Sequence, residues 1–239
     1  VPEKTKAFLS LREAFDFFKA AAKSAIGARL AVEGFAGLRV SSSARMEEHE
    51  VRIEEGGIEL PAGKHKLERR FFVQGFPENL FTWLELPNQR WDISESTYDH
   101  WKIRVFDQSG VKNPGNVLRH SFCTYHIAAY GDASKTATLL THRGPAMLYR
   151  HYLGRGVSRK EALLYFAITP KSVEGTFEQF LASSATHEQH SNRSHRQRNL
   201  PTRDRAGQAP EGESHLEPDN NGSSSTEEGT GIPTEAQSA

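Results

Sequence analysis

A mainly α-helical domain carrying one small antiparallel β-sheet, an α+β fold, is what the sequence predicts for residues up to Leu181. Three observations predict it. Apolar residues recur at three- and four-residue spacing in most segments. Between positions 50 and 73 that period gives way to short stretches separated by Gly and Pro turns. After Leu181 the large apolar residues all but stop, and Ser183 to Ala239 contains no Phe, Trp, Tyr or Val.

In chain order, Leu9 to Ala22 sets Leu11, Ala14, Phe15, Phe18 and Ala21 on one face of a helix, with Ser10 as its cap. Ala28 to Leu38 is apolar almost all round, which predicts a buried helix, and Gly34 and Gly37 permit neighbours to approach closely. A short helical turn follows at Ser41 to Met46. Glu50 to Ile53, Gly57 to Leu60 and Arg69 to Val73 read as three strands, broken at Glu55-Gly56-Gly57 and at Pro61-Ala62-Gly63-Lys64. Helical patterning returns at Pro77 to Leu86, Ser94 to Phe106, Val117 to Tyr130, Ser134 to Leu140, Pro145 to Leu153 and Arg159 to Phe166, with a weak last helix at Val173 to Leu181.

Residues 182–239 are rich in Ser, Glu, Gly, Asn and Gln and cannot offset the entropy of ordering, so they are expected to form a disordered tail. Net charge is zero, but unevenly distributed. Of 30 basic and 30 acidic residues, five Arg and nine Asp or Glu lie after Leu181, leaving 25 basic and 21 acidic before it. Any nucleic-acid footprint must therefore be local. One cysteine, Cys123, excludes an internal disulfide and a thiolate zinc cluster. No apolar run approaches the roughly 18 residues of a membrane span, so a soluble, cytoplasmic protein is expected, with no membrane partner. No cofactor or metal is expected either: the phosphate-loop, His-Glu-x-x-His and Gly-x-Gly-x-x-Gly patterns are all missing. The tail histidines His187, His190, His195 and His215 lack a folded context for a metal.

The chemistry-bearing residues are concentrated in two segments. The first is Asn116-Val-Leu-Arg119-His120-Ser121-Phe122; the second runs from Leu140-Thr141-His142 to Tyr149-Arg150-His151-Tyr152. Together they resemble the two C-terminal boxes of tyrosine recombinases, the phage-integrase family. Upstream, Phe35-Ala-Gly-Leu-Arg39 is similar to that family's first arginine box. Ile58 to Arg70, which contains Lys64 and Lys66, is similar to the hairpin that delivers its lysine. The resemblance spans Phe8 to Ile168 with the boxes in order.

The resemblance implies the tyrosine recombinase catalytic-domain fold over residues 1–181, without the N-terminal DNA-clamp domain of complete enzymes. It implies breakage and rejoining of double-stranded DNA by a homo-tetramer, without a cofactor, in the integration and recombination of mobile elements. Its site maps onto Arg39, Lys66, Asn116, Arg119, His142 and Tyr152. Metal-free phosphodiester cleavage needs donors on the non-bridging oxygens, and paired guanidiniums supply permanently charged forked hydrogen bonds; Arg39 and Arg119 would be that pair. Tyr152 would attack to form a covalent 3′-phosphotyrosine. Lys66 would protonate the leaving 5′ oxygen, with His142 assisting.

Several assignments have competitors. Lys64 shares the hairpin face with Lys66, and Tyr149 lies one helical turn before Tyr152. Asn116, at the place of the family's histidine, donates hydrogen bonds but carries no proton, and it also suits a helix cap. Thr141 stands where the family has Gly, and Ser42 where it often has an acidic residue. A degraded remnant that only binds DNA, or a type IB topoisomerase-like enzyme, are the alternative functions.

Overall fold

In the computed structural model, residues 7–60, 71–142, 144–152 and 156–184 are described; all lie within one unit ending at Arg198. Helix α1 (Leu11–Ala21) starts where expected, because Ser10 and Glu13 cap one another's backbone N–H groups. Helix α2 (Gly27–Phe35) is buried along its whole length, as its all-round apolar pattern predicts. A Cβ on Gly34 would lie 2.4 Å from Phe18 Cζ, so glycine is what allows α1 and α2 to touch there. Phe18 stacks on Phe35 at 4.3 Å between ring centroids, and Phe35 continues to Trp83 and Tyr165.

Two charged residues of α2 are as buried as its aliphatics. Arg29 donates to the carbonyls of Ser43 and Ala44, in and at the end of the short helix α3 (Val40–Ala44). Glu33 accepts from Tyr98 Oη (2.6 Å) and is paired with Lys102, both on α5 (Glu95–Ser109). Ser43 Oγ donates to Arg29 O (3.0 Å). These bonds satisfy buried polar groups that would otherwise cost several kcal/mol each, on the order of 1–3 for a neutral group. They also fix the chain immediately after Arg39.

A 3-10 turn at Glu48–Glu50 leads into an antiparallel sheet of order β1 (Val51–Arg52), β2 (Gly57–Leu60), β3 (Phe71–Gln74). Val51 pairs with Ile58, and Leu60 with Phe71. β1 is shorter than the expected Glu50 to Ile53, because Glu50 closes the 3-10 turn and Ile53 begins the turn into β2.

The remaining helices are α4 (Asn79–Leu84), α6 (Val117–Tyr130), α7 (Ala133–Leu139), α8 (Ala146–Tyr152) and α9 (Arg159–Tyr165). α6 packs against α2, α7, α8 and α9, with Tyr125 stacked on Tyr165 at 4.2 Å. α5 runs past the expected Phe106 to Ser109, where Gly110 ends it in the left-handed conformation. The last helical stretch starts at 177 rather than Val173, because Thr176 and Gln179 cap each other there, and it continues to 184. Its Phe177 and Phe180 pack on Phe15. Among the described residues, no helix is long and apolar enough to cross a membrane.

Candidate active site

The centre of the site is Arg119, on the first turn of α6 and 8% exposed. Its Nη1 donates to Gly37 O, and its Nη2 donates to Leu140 O (3.1 Å) and to His142 Nε2 (2.8 Å). Because a guanidinium only donates, a neutral His142 ring carries its proton on Nδ1. Among the described residues these bonds use three of the five N–H groups, so two remain for a ligand.

Both carbonyls lie at helix ends, which is where unsatisfied acceptors occur. Gly37 follows the cap of α2 with φ of +68°, and a Cβ there would sit 2.4 Å from Phe122 Cδ1 and 2.6 Å from Leu140 Cδ2. Leu140 caps α7. Beyond it, Thr141 N–H returns to Thr138 O (2.9 Å) and His142 N–H to Ala137 O (2.8 Å), a Schellman closure that aims His142 back at α6. Thr141 takes φ of +54° to make this turn, a conformation that suits the family's Gly better than a β-branched residue.

Arg39 is half-buried at the N-cap of α3, two residues after Gly37, so the carbonyl that anchors Arg119 also sets the position of Arg39. Burial pushes the Arg119 guanidinium down to about 10, against the influence of buried Cys123 and with a further lowering from the charge of Arg39; Tyr152 acts in the raising direction. Burial lowers Arg39 as well, again opposed by Cys123. The charge of Arg39 thus acts on Arg119, and Cys123 acts on both. Among the described residues, no carboxylate offsets either of them.

Tyr152 closes α8 and is 5% exposed, whereas Tyr149 is 54% exposed. The Tyr152 hydroxyl lies 2.6 Å from His120 Nδ1, with the rings 5.8 Å apart and inclined at 37°. No site role for His120 emerged from the sequence. It follows Arg119 and lies one helical turn after Asn116, and its partner is 32 residues away. The available signal was the Arg119-His120 pair opening a helix.

Asn116 is exposed at the N-cap of α6 with φ of +26°; its carbonyl accepts His120 N–H (3.0 Å), but its side chain caps no helical N–H. Lys64 and Lys66 lie outside the described residues, between β2 and β3. The structure thus brings together Arg39, Arg119, His142 and Tyr152 and adds His120. Among the described residues, no group of three or more His, Cys, Asp or Glu is placed to hold a metal ion.

Neither a protein-family model nor a curated protein matches the chain. Among solved structures, the chain is similar to XerA recombinase, with a TM-score of 0.52 and 21% identity over 68% of this chain and 63% of that one. It is also similar to lambda integrase (residues 75–356), a dimer bound to a COC′ core site, with a TM-score of 0.49 and 14% identity over 65% and 62% of the two chains. XerH site-specific recombinase, bound to its difH substrate in a pre-cleavage complex, gives a TM-score of 0.47 and 18% identity over 62% and 50%. The chain spans less than two thirds of the length of each. Its described residues adopt the tyrosine recombinase catalytic-domain fold.

Proposed function

We propose that this chain breaks and rejoins double-stranded DNA through a covalent 3′-phosphotyrosine at Tyr152, as a site-specific recombinase or integrase. The observation that carries the reading is the pair Arg39 and Arg119: one guanidinium buried and one half-buried, with the charge of Arg39 lowering Arg119 and no carboxylate among the causes acting on either. Unbalanced buried charge is expensive, and a bound phosphodiester is the ligand that removes the cost.

In this reading the two guanidiniums hold the non-bridging oxygens and take up the charge that grows in the pentavalent state. His142 assists by accepting from Arg119 and so fixing that guanidinium. The Tyr152 oxygen attacks phosphorus, an Oη–P bond forms, and the bond to the 5′ oxygen breaks. Lys66 protonates that oxygen. Reversal by a different 5′ hydroxyl joins new strands, with the bond energy kept in the protein–DNA link. Asn116 serves at most as a hydrogen-bond donor near the helix start.

The reading extends to residues 1–181 as the catalytic unit with 182–239 as a tail, to four copies acting on two DNA sites, to a mobile-element setting and to the cytoplasm. The test is a library of nicked duplexes with a randomised core, in which cleavage releases a short strand and traps the intermediate. A covalent protein–DNA species lost in Tyr152→Phe is expected. No such species, or one that survives Tyr152→Phe, refutes the reading. Relaxation of supercoiled DNA without site preference would point to topoisomerase chemistry instead.

A further inference from the structure

Four tyrosines are buried among the described residues, and three of them use their hydroxyls to hold the fold. Tyr98 donates to Glu33, Tyr125 to Leu9 O and Tyr165 to Gly34 O. Tyr152 differs, because its hydroxyl meets an imidazole nitrogen, His120 Nδ1, at 2.6 Å. The other histidine of the site is committed elsewhere: His142 Nε2 accepts from Arg119, which ties it to the phosphate side. Asn116, where the family resemblance places a histidine, is exposed and has no group that takes up a proton.

We infer that His120 is the proton acceptor for Tyr152, an inference that rests on the strand-cleavage reading above. A phenol and an imidazole ordinarily titrate near about 10 and 6.5, so the proton does not leave the resting hydroxyl. It moves as the bond to phosphorus forms and the phenolic oxygen loses basicity. In the forward step the Oη–H bond breaks, its proton passes to His120 Nδ1, the Oη–P bond forms, and the P–O5′ bond breaks with its electron pair leaving on O5′. In rejoining, the imidazolium returns that proton to Oη as the phosphotyrosine bond opens. His142 and His120 thus divide the work: one faces the phosphate through Arg119, the other serves the nucleophile.

The test uses the full chain and the randomised nicked-duplex library, with single-turnover cleavage measured for wild type, His120→Asn and His120→Ala. Asparagine keeps a hydrogen-bonding side chain but carries no proton, so His120→Asn is expected to cleave at least about 100-fold more slowly. His120→Ala, with space left by the ring, is expected to recover cleavage as free imidazole is added, while His120→Asn does not. Thermal melting and affinity for uncleaved duplex are measured alongside, and both are expected to stay at wild-type values. A His120→Asn rate within about threefold of wild type overturns the inference. So does a loss of cleavage matched by lost DNA affinity or fold, or an alanine variant that imidazole fails to restore. A Tyr152-dependent adduct that forms in His120→Asn at the wild-type rate removes this inference alone, whereas absence of any adduct from wild type removes the recombinase reading and this inference with it.

Discussion

Replacing Gly37 with alanine adds one methyl group at the most crowded junction of the site, and its cost can be worked out in two parts. The backbone is in the left-handed region, φ +68°, where an L side chain costs roughly 1–2 kcal/mol. The new Cβ would also lie 2.4 Å from Phe122 Cδ1 and 2.6 Å from Leu140 Cδ2, both on fully buried residues, and forcing packed side chains aside costs about 1–3 kcal/mol more. The total is about 2–5 kcal/mol. Gly110 provides the control. It has the same φ, +68°, but nothing lies within 4 Å of its would-be Cβ, so Gly110→Ala carries the backbone part alone. Urea unfolding of both variants, followed by circular dichroism at unchanged slope, measures the difference as a gap between midpoints. Equal midpoints for the two variants would refute the claim that packing at Phe122 and Leu140 requires glycine at 37. Gly37→Ala is also expected to weaken DNA binding, because it shifts the two carbonyls that hold Arg119.

Three further outcomes are expected. Thr141→Gly relieves the +54° φ of a β-branched residue and should raise stability by about 0.5–1 kcal/mol after the entropy of the added glycine; a lower melting temperature would show that Thr141 is not strained. His126, buried and bonded to Thr136, is pushed down to about 4 by burial, with Lys135 adding to the effect. The unfolded chain therefore binds the extra proton between about pH 6.5 and 4. Stability is fully present above that window and is lost as pH falls through it, by on the order of 3 kcal/mol, and His126→Gln should flatten this limb of the stability–pH curve. Glu33→Gln strands the buried Lys102 ammonium and should cost about 3–5 kcal/mol, whereas the double variant with Lys102→Met should recover much of that; additive losses in a double-mutant cycle would refute the pairing.

Much of the fold was legible because local signals agreed with one another. Ser10 as a cap, the apolar periodicity of α6 and the Gly-punctuated strands each marked an element near where it lies. The misses have local causes. The start of the last helix depends on a reciprocal Thr176–Gln179 cap that a weak apolar period does not reveal. Of the candidate site, Arg39, Arg119, His142 and Tyr152 were implied by the resemblance of their segments to the recombinase boxes, and Tyr149 and Tyr152 differ in exposure. His120 did not stand out, because its contact with Tyr152 exists only once α8 is laid against α6. The departure at Thr141 was visible as a residue, but its consequence, a left-handed turn made without glycine, is a property of the backbone.

Arg119 ties the ends of two helices together with the same group that the proposed function assigns to the phosphodiester. Truncating it would strand the Gly37 and Leu140 carbonyls and slacken the segments that carry Arg39 and His142, so a variant at 119 would confound lost chemistry with a loosened frame. An inert protein for capturing uncleaved complexes is better made by removing the Tyr152 hydroxyl, which leaves that brace in place.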